Sequence, residues 1–167
     1  MRAKYTFNIK GQNKVIMRKG MNETIEHVVL KLLSYLLFNR RPGIEVSVRQ
    51  HYKPDLLLEE ESVIKVWIEC GAVSPKKLDK ISTRNNQAEI FVVKETREEA
   101  VEFCSFTEKK VRHPERMTFM GFEAGFVKEI ANQLERVNRI DWTIKQNRII
   151  INVNGEEHSS VIWNSRA

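Results

Sequence analysis

The hydrophobic pattern of this chain switches repeatedly between a period of two and a period near 3.6, which predicts strands and helices in alternation. Tyr5, Phe7 and Ile9 alternate with polar residues, Gly11-Gln12-Asn13 reads as a turn, and Val15-Ile16-Met17 returns. Residues 4–19 are therefore expected to form a hairpin. Asn22 is expected to cap a helix running to about Phe38. Ile25, Val28, Val29, Leu32 and Leu36 make one apolar stripe on it, and Leu30, Leu33 and Leu37 make a second. A helix apolar on two faces should be largely buried. Arg40-Arg41-Pro42-Gly43 ends it.

The pattern then predicts a short strand at Glu45–Arg49, a loop through Pro54-Asp55, a solvated turn at Glu59-Glu60-Glu61, and a β-branched strand from Val63 to Cys70. Pro75 opens a helix to about Asn86, as proline favours a first turn. Glu89–Lys94 reads as a core strand. Thr96-Arg97-Glu98-Glu99 carries a capping pattern that starts another helix. A strand at Met117–Phe122 and a helix from Glu123 to about Arg136 follow. The chain closes with strands at Asp141–Lys145, Arg148–Val153 and His158–Trp163, joined by Gln146-Asn147 and Asn154-Gly155 turns. The expected class is α/β with α+β character: a mixed β-sheet core flanked by helices, with extra β-hairpins at both termini, in a single domain over residues 1–167.

Composition refines this picture only slightly. At 167 residues with 41% hydrophobic positions the chain is long enough to bury a core. Lys and Arg exceed Asp and Glu by 28 − 22 = 6, a balance that favours anionic partners such as DNA or RNA. Cys70 and Cys104 stand far apart with no CxxC pair, which suits a reducing, cytoplasmic setting. The N-terminal segment lacks the apolar run of a secretory leader. The apolar stretch Val28–Phe38 is too short for a bilayer, so no membrane partner is expected. No G-x-x-x-x-G-K-[ST], G-x-G-x-x-G or G-x-S-x-G motif occurs, and no nucleotide cofactor is expected. His27, His51, His113 and His158 are scattered without zinc-site spacing.

The chemistry concentrates in Pro54-Asp55 and in Trp67-Ile68-Glu69-Cys70-Gly71. Glu69 ends an otherwise apolar strand, where a carboxylate needs solvent, a cation or a donor. Strand ends are also where α/β sites form. Asp55 precedes the strand and is expected to converge on the same point. Carboxylates gathered there repel, and a hard divalent cation such as Mg²⁺ or Mn²⁺ relieves the conflict. Glu26, at the head of the Glu26, Leu30, Leu33, Leu37 stripe, is a third acidic candidate. The plainer readings are a turn residue for Asp55 and a pairing with Lys65 or Lys77 for Glu69.

Taken together, these segments resemble the YaeQ family of small bacterial proteins with a PD-(D/E)XK nuclease-like fold. Glu23-Thr24-Ile25-Glu26 with the following apolar helix resembles the family's E-T-x-E-R helix start. Pro54-Asp55 resembles its P-[DE], Trp67-Ile68-Glu69-Cys70-Gly71 its W-I-[ED]-x-G strand end, and Lys76-Lys77-Leu78-Asp79-Lys80 its basic helix. The closing segment to Val161-Ile162-Trp163 resembles its C-terminus. The resemblance implies a restriction-endonuclease-like core with Glu26, Asp55 and Glu69 at the acidic positions. Asp55, Glu69 and Glu26 are then the expected metal ligands. The motif lysine departs from the pattern, because Gly71 stands at its place; Lys77 or Lys80, from the next helix, is expected to substitute. Two functions follow as expectations: metal-dependent hydrolysis of DNA or RNA, or a nuclease-fold module that binds nucleic acid or a protein without turnover. Arg40, Arg41 and Arg49, and separately Lys109, Lys110 and Arg112, are candidate phosphate contacts.

Overall fold

The computed structural model describes residues 3–166; the outermost positions of the expected domain, Met1, Arg2 and Ala167, lie outside the described residues. The first hairpin forms as β1 (Ala3–Ile9) and β2 (Val15–Lys19), with Tyr5 opposite Met17. It does not stand alone. β1 also pairs in parallel with β8 (Val137–Lys145), which continues antiparallel into β9 (Arg148–Val153) and β10 (Glu156–Val161). The hairpins expected at the two termini are thus merged into one mixed sheet of order β10-β9-β8-β1-β2.

A second sheet has the order β11-β7-β6-β5-β4-β3. Its centre is parallel: β5 (Val63–Cys70), β6 (Glu89–Thr96) and β7 (Met117–Phe122). The flanking strands β3 (Gly43–Ile44), β4 (Leu56–Glu60) and β11 (Trp163–Asn164) run antiparallel to their neighbours.

Helix α1 (Ile25–Leu37) lies between the two sheets. Every residue from Val28 to Leu36 is buried, which accounts for two apolar stripes where a surface helix has one. The core around it takes Phe7, Ile9 and Met17 from the first sheet and Leu56, Ile68, Val93 and Phe122 from the second. Helix α4 (Phe126–Gln133) packs beside it through Phe126, Val127 and Ile130. On the opposite face of the second sheet, α2 (Pro75–Arg84) and α3 (Arg97–Glu108) cover a second core of Trp67, Leu78, Ile81, Ile90, Val92 and Phe119. The layers run sheet, helix, sheet, helix, as expected of a mixed α/β fold. No helix among the described residues is long and apolar enough to cross a membrane.

Several boundaries differ from the sequence expectation. The cap of α1 is Thr24, whose Oγ1 accepts from the His27 amide at 3.2 Å, and Asn22 lies in the preceding turn. The strand expected at Glu45–Arg49 does not form; pairing stops at Ile44, and Glu45 adopts a left-handed backbone with φ 54°. That turn brings the Glu45 carboxylate 3.1 Å from Lys31 Nζ, and Lys31, on α1, is fully buried. An unpaired buried ammonium is costlier than two lost ladder bonds. Conversely, Leu56–Glu60, expected as loop and turn, is strand β4, paired with β5. Helix α4 is shorter than the expected Glu123–Arg136, because β8 begins early to pair with β1. The expected strand His158–Trp163 divides at Ile162, leaving β10 in one sheet and β11 in the other. Thr96 caps α3 as expected, accepting from the Glu99 amide at 3.2 Å.

Gly121, on β7, has no room for a side chain: an added Cβ would lie 2.7 Å from the Thr96 carbonyl carbon and 2.9 Å from Arg97 Cα, both backbone. Gly121→Ala is therefore expected to cost about 1–3 kcal/mol of stability, read as a lowered urea midpoint with unchanged slope. An unchanged midpoint would mean that the β6–α3 corner is looser than this packing implies.

Candidate functional site

The parallel strands β5 and β6 end side by side, and their last residues break the apolar run with charge. On β5 the alternation puts Trp67 and Glu69 on the α2 side of the sheet, both buried, while Ile68 and Cys70 face α1. Trp67 Nε1 donates to Glu69 Oε1 at 2.8 Å, and Lys77 Nζ, from the first turn of α2, donates to Oε2 at 3.1 Å. Ser74 holds that turn in place by accepting from the Lys77 amide. Burial, and then the Asp55 charge, raise the Glu69 carboxyl above its ordinary range; the Trp67 and Lys77 bonds pull it back down.

Asp55 reaches the same point from the strand alongside. Its amide donates to the Ile68 carbonyl, one step before β4 pairs fully with β5. Its Oδ2 accepts from the Cys70 amide at 2.8 Å, and its Oδ1 lies 3.1 Å from His27 Nε2 at the start of α1. The chain leaves the site at Gly71, whose φ of 77° is left-handed and whose added Cβ would meet His27 Nδ1 at 3.4 Å. The Gly71 carbonyl accepts at 2.7 Å from Lys94 Nζ, one residue beyond the Cys70–Val93 pair on β6. Lys94 is 9% exposed, with its ammonium 4.2 Å from the centre of the Phe103 ring. Burial lowers its pKa, against an upward pull from Glu99.

The five residues expected at the site fall into three places. Glu69 and Lys77 are hydrogen-bonded to each other, and Asp55 is held beside them by bonds to the backbone of Ile68 and Cys70, on either side of Glu69. Glu26 stands apart from them in the first turn of α1, a position favoured for an acid by the helix dipole. It lines a cleft of about 490 Å³ with His27, Gly71, Lys94, Glu95 and Glu99, and its charge helps raise Glu95 after burial and Glu99 have done so. Asp55 touches this cleft through its His27 wall. Lys80 is exposed one turn beyond Lys77 and lines a different cavity. Among the described residues no three His, Cys, Asp or Glu side chains are grouped so as to hold a metal ion. Of the other basic candidates, Arg40 pairs with Glu60 at 3.7 Å, Arg112 pairs with Asp79 at 3.0 Å, and Lys110 lies over Phe106. Cys70 and Cys104 are buried free thiols whose pKa is raised, Cys104 to about 11, as expected of inert core residues.

Sequence reasoning passed over His27 and Lys94. For Lys94 a signal was present: it ends the apolar run Ile90-Phe91-Val92-Val93 as Glu69 ends its own strand. For His27 the pattern held no signal, since its partner Asp55 is 28 residues away.

The donor set of Asp55 and Glu69 suits a divalent cation in one respect. Asp55 and Glu69 engage each carboxylate oxygen once, which leaves a lone pair on each, and the Lys77 ammonium already takes the place of a cation beside Glu69. Two carboxylates, with water or phosphate completing the shell, are a usual provision for Mg²⁺.

Comparisons with known proteins agree on one family. The family model described as YaeQ protein matches residues 8–162. The crystal structure of the YaeQ protein from Xanthomonas axonopodis pv. citri superposes with a TM-score of 0.78 at 12% identity, covering 98% of this chain and 97% of that one. The YaeQ protein from Pseudomonas syringae gives 0.73 at 16% identity, covering 98% and 94%. At these identities the likeness is one of fold. Comparison with curated proteins returns no match.

Replacing Lys77 by Met removes the ammonium and keeps the apolar stem. The Glu69 carboxyl then rises further above the 4.5 of an ordinary glutamate. A folded-state pKa above the unfolded one means that stability falls as pH rises through that interval. Lys77→Met should therefore lose about 1–3 kcal/mol near pH 8 and clearly less near pH 5, by urea denaturation. An equal loss at both would assign Lys77 a packing role alone.

Proposed function

The chain belongs to the YaeQ family, and from that premise we propose that it is a metal-dependent phosphodiesterase of the PD-(D/E)XK type, acting on nucleic acid. The observation that carries this reading is the convergence of Asp55 and Glu69 at the end of β5 with a lysine in direct contact. Asp55 and Glu69 would hold Mg²⁺ or Mn²⁺; bound there, such an ion supplies a lowered pKa to its water and positive charge against the phosphoryl oxygens.

The chain's own groups do the rest. Trp67 fixes the Glu69 carboxylate, and His27 with the Cys70 amide fixes that of Asp55, so neither side chain would have to be ordered on binding. Lys77, whose ammonium is bonded to Glu69, would supply positive charge to the phosphate. Lys94 substitutes for the lysine missing at Gly71 by approaching from the neighbouring strand. Glu26, across the His27 wall, orients water in the cleft. Lys80 meets the substrate backbone further along α2. The two free, buried cysteines support a reducing, cytoplasmic setting.

A second reading, a nuclease-fold module that binds without turnover, is favoured by the engagement of all four carboxylate oxygens within the protein. Calorimetric titration of Mg²⁺ and Mn²⁺ into wild type and the isosteric Asp55→Asn/Glu69→Gln variant separates the two. Binding by wild type alone, with metal-dependent cleavage of single-stranded, duplex or branched nucleic acid that the variant lacks, is the expected result. Wild type that binds neither ion, with or without oligonucleotide, and cleaves nothing would leave the module.

A further inference from the structure

Beyond the acid pair, the chain folds a pocket of which the proposed catalytic reading uses Lys80 alone. It lies between α2 and the segment Val48–Tyr52, has a volume of about 620 Å³, and is lined by Arg49, His51, Tyr52, Lys80 and Arg84 over an apolar floor that includes Ile81. Among the described residues no carboxylate lines it. The one acidic residue of α2, Asp79, is taken up instead by Arg112, through the backbone amide at 2.8 Å and the guanidinium at 3.0 Å. Among the described residues Arg49, Lys80 and Arg84 enter no ion pair.

The pocket is built rather than incidental. Gln50 and Asn85 exchange amide hydrogen bonds of 2.7 and 3.0 Å, clamping the loop to the end of α2. Arg116 fixes that end from below, donating to the carbonyls of Ser82, Asn85 and Ala88. At the other end Lys77 Nζ lies 5.4 Å from the centre of the Tyr52 ring and 3.1 Å from Glu69. One lysine thus joins the basic pocket to the acid pair. The Tyr52 and His51 rings stand edge to face, centroids 4.7 Å apart, beside the three cations.

We propose that this pocket binds a single-stranded segment of nucleic acid, with Arg49, Lys80 and Arg84 on its phosphates and a base laid against Tyr52. The proposal rests on the preceding section for the class of ligand. Three cations without carboxylates select a polyanion. The aromatic pair selects a strand whose base faces are free, which a duplex does not offer. The connection through Lys77 makes the bound nucleotides the neighbours of the phosphodiester presented to Asp55 and Glu69.

Fluorescence anisotropy with a labelled oligonucleotide of about a dozen nucleotides, single-stranded or annealed to its complement, tests this in excess chelator, where turnover plays no part. The substituted side chains are exposed or half-buried, so the variants should keep the wild-type circular dichroism. Arg49→Gln/Lys80→Gln/Arg84→Gln should weaken single-strand binding at least about tenfold and reduce the slope of log K against log salt by about 2. The charge-matched control Lys4→Gln/Lys128→Gln/Lys145→Gln, on exposed residues elsewhere, should change affinity no more than about twofold. Tyr52→Leu should weaken the single strand by about five- to a hundredfold and the duplex far less. Absence of binding by wild type, equal losses in the two triple variants, or equal competition by a polyglutamate peptide would each overturn the proposal. Single-strand binding through the pocket by a protein that cleaves nothing would keep it and remove the catalytic reading instead.

Discussion

Everything in this fold is arranged around a helix that has no exposed side over most of its length. From Val28 to Leu36, α1 is enclosed by two sheets and α4. Each large side chain buried there contributes about 1.5–3 kcal/mol, which makes α1 the element against which both sheets register. The enclosure also sets a constraint. Lys31 and Ser34 point into protein wherever the helix turns, so both need internal partners. Ser34 bonds back to the Leu30 carbonyl at 2.7 Å. Lys31 donates to the Arg18 carbonyl and to Glu45, and Glu45 leaves the strand geometry to reach it. The same enclosure fixes the N-terminus of α1 against the ends of β4 and β5, where His27 meets Asp55.

The acid pair is poised by the same logic on a smaller scale. Glu69 is almost wholly buried with another carboxylate beside it, an arrangement that favours a proton or a cation. The protein supplies an indole N–H and an ammonium instead. Neither is locked in by covalent geometry, and Lys77 belongs to a helix whose remaining basic residues face solvent. Charge compensation by a neighbouring side chain offsets part of the cost of burying a carboxylate.

Electrostatic geography follows from the strand direction. Three parallel strands deliver their carboxyl ends to one edge, where Glu69, Lys94 and Glu95 gather with the N-termini of α1 and α2. The excess positive charge of the chain is not spread evenly around that edge. Along α2 it accumulates beside Tyr52 and His51 with no interspersed acid, because Arg112 draws Asp79 away. A negative centre flanked by a positive groove is the charge pattern on which the proposed nucleic-acid ligand rests.

The sequence by itself determined the elements that depend on near neighbours. The buried character of α1, the cap at Thr96, the proline-led α2, the strand Val63–Cys70 and the closing turns were all readable, since capping, periodicity and turn chemistry act within a few residues. It also singled out Glu69, because charge at the end of an apolar strand is conspicuous, and offered Lys77 as one of two partners for it. The tertiary structure decided whatever needed a partner far along the chain. The merger of the terminal hairpins through β1 and β8 and the left-handed Glu45, turned toward Arg18 and Lys31, depend on partners well separated along the chain. So do the contacts His27–Asp55, Lys94–Gly71 and Gln50–Asn85, and the placing of Glu26 in a neighbouring cleft. Local propensity fixes the direction of a side chain on its own helix or strand. Which other side chain it meets is fixed by strand register and helix packing, and those minimise the free energy of the whole fold.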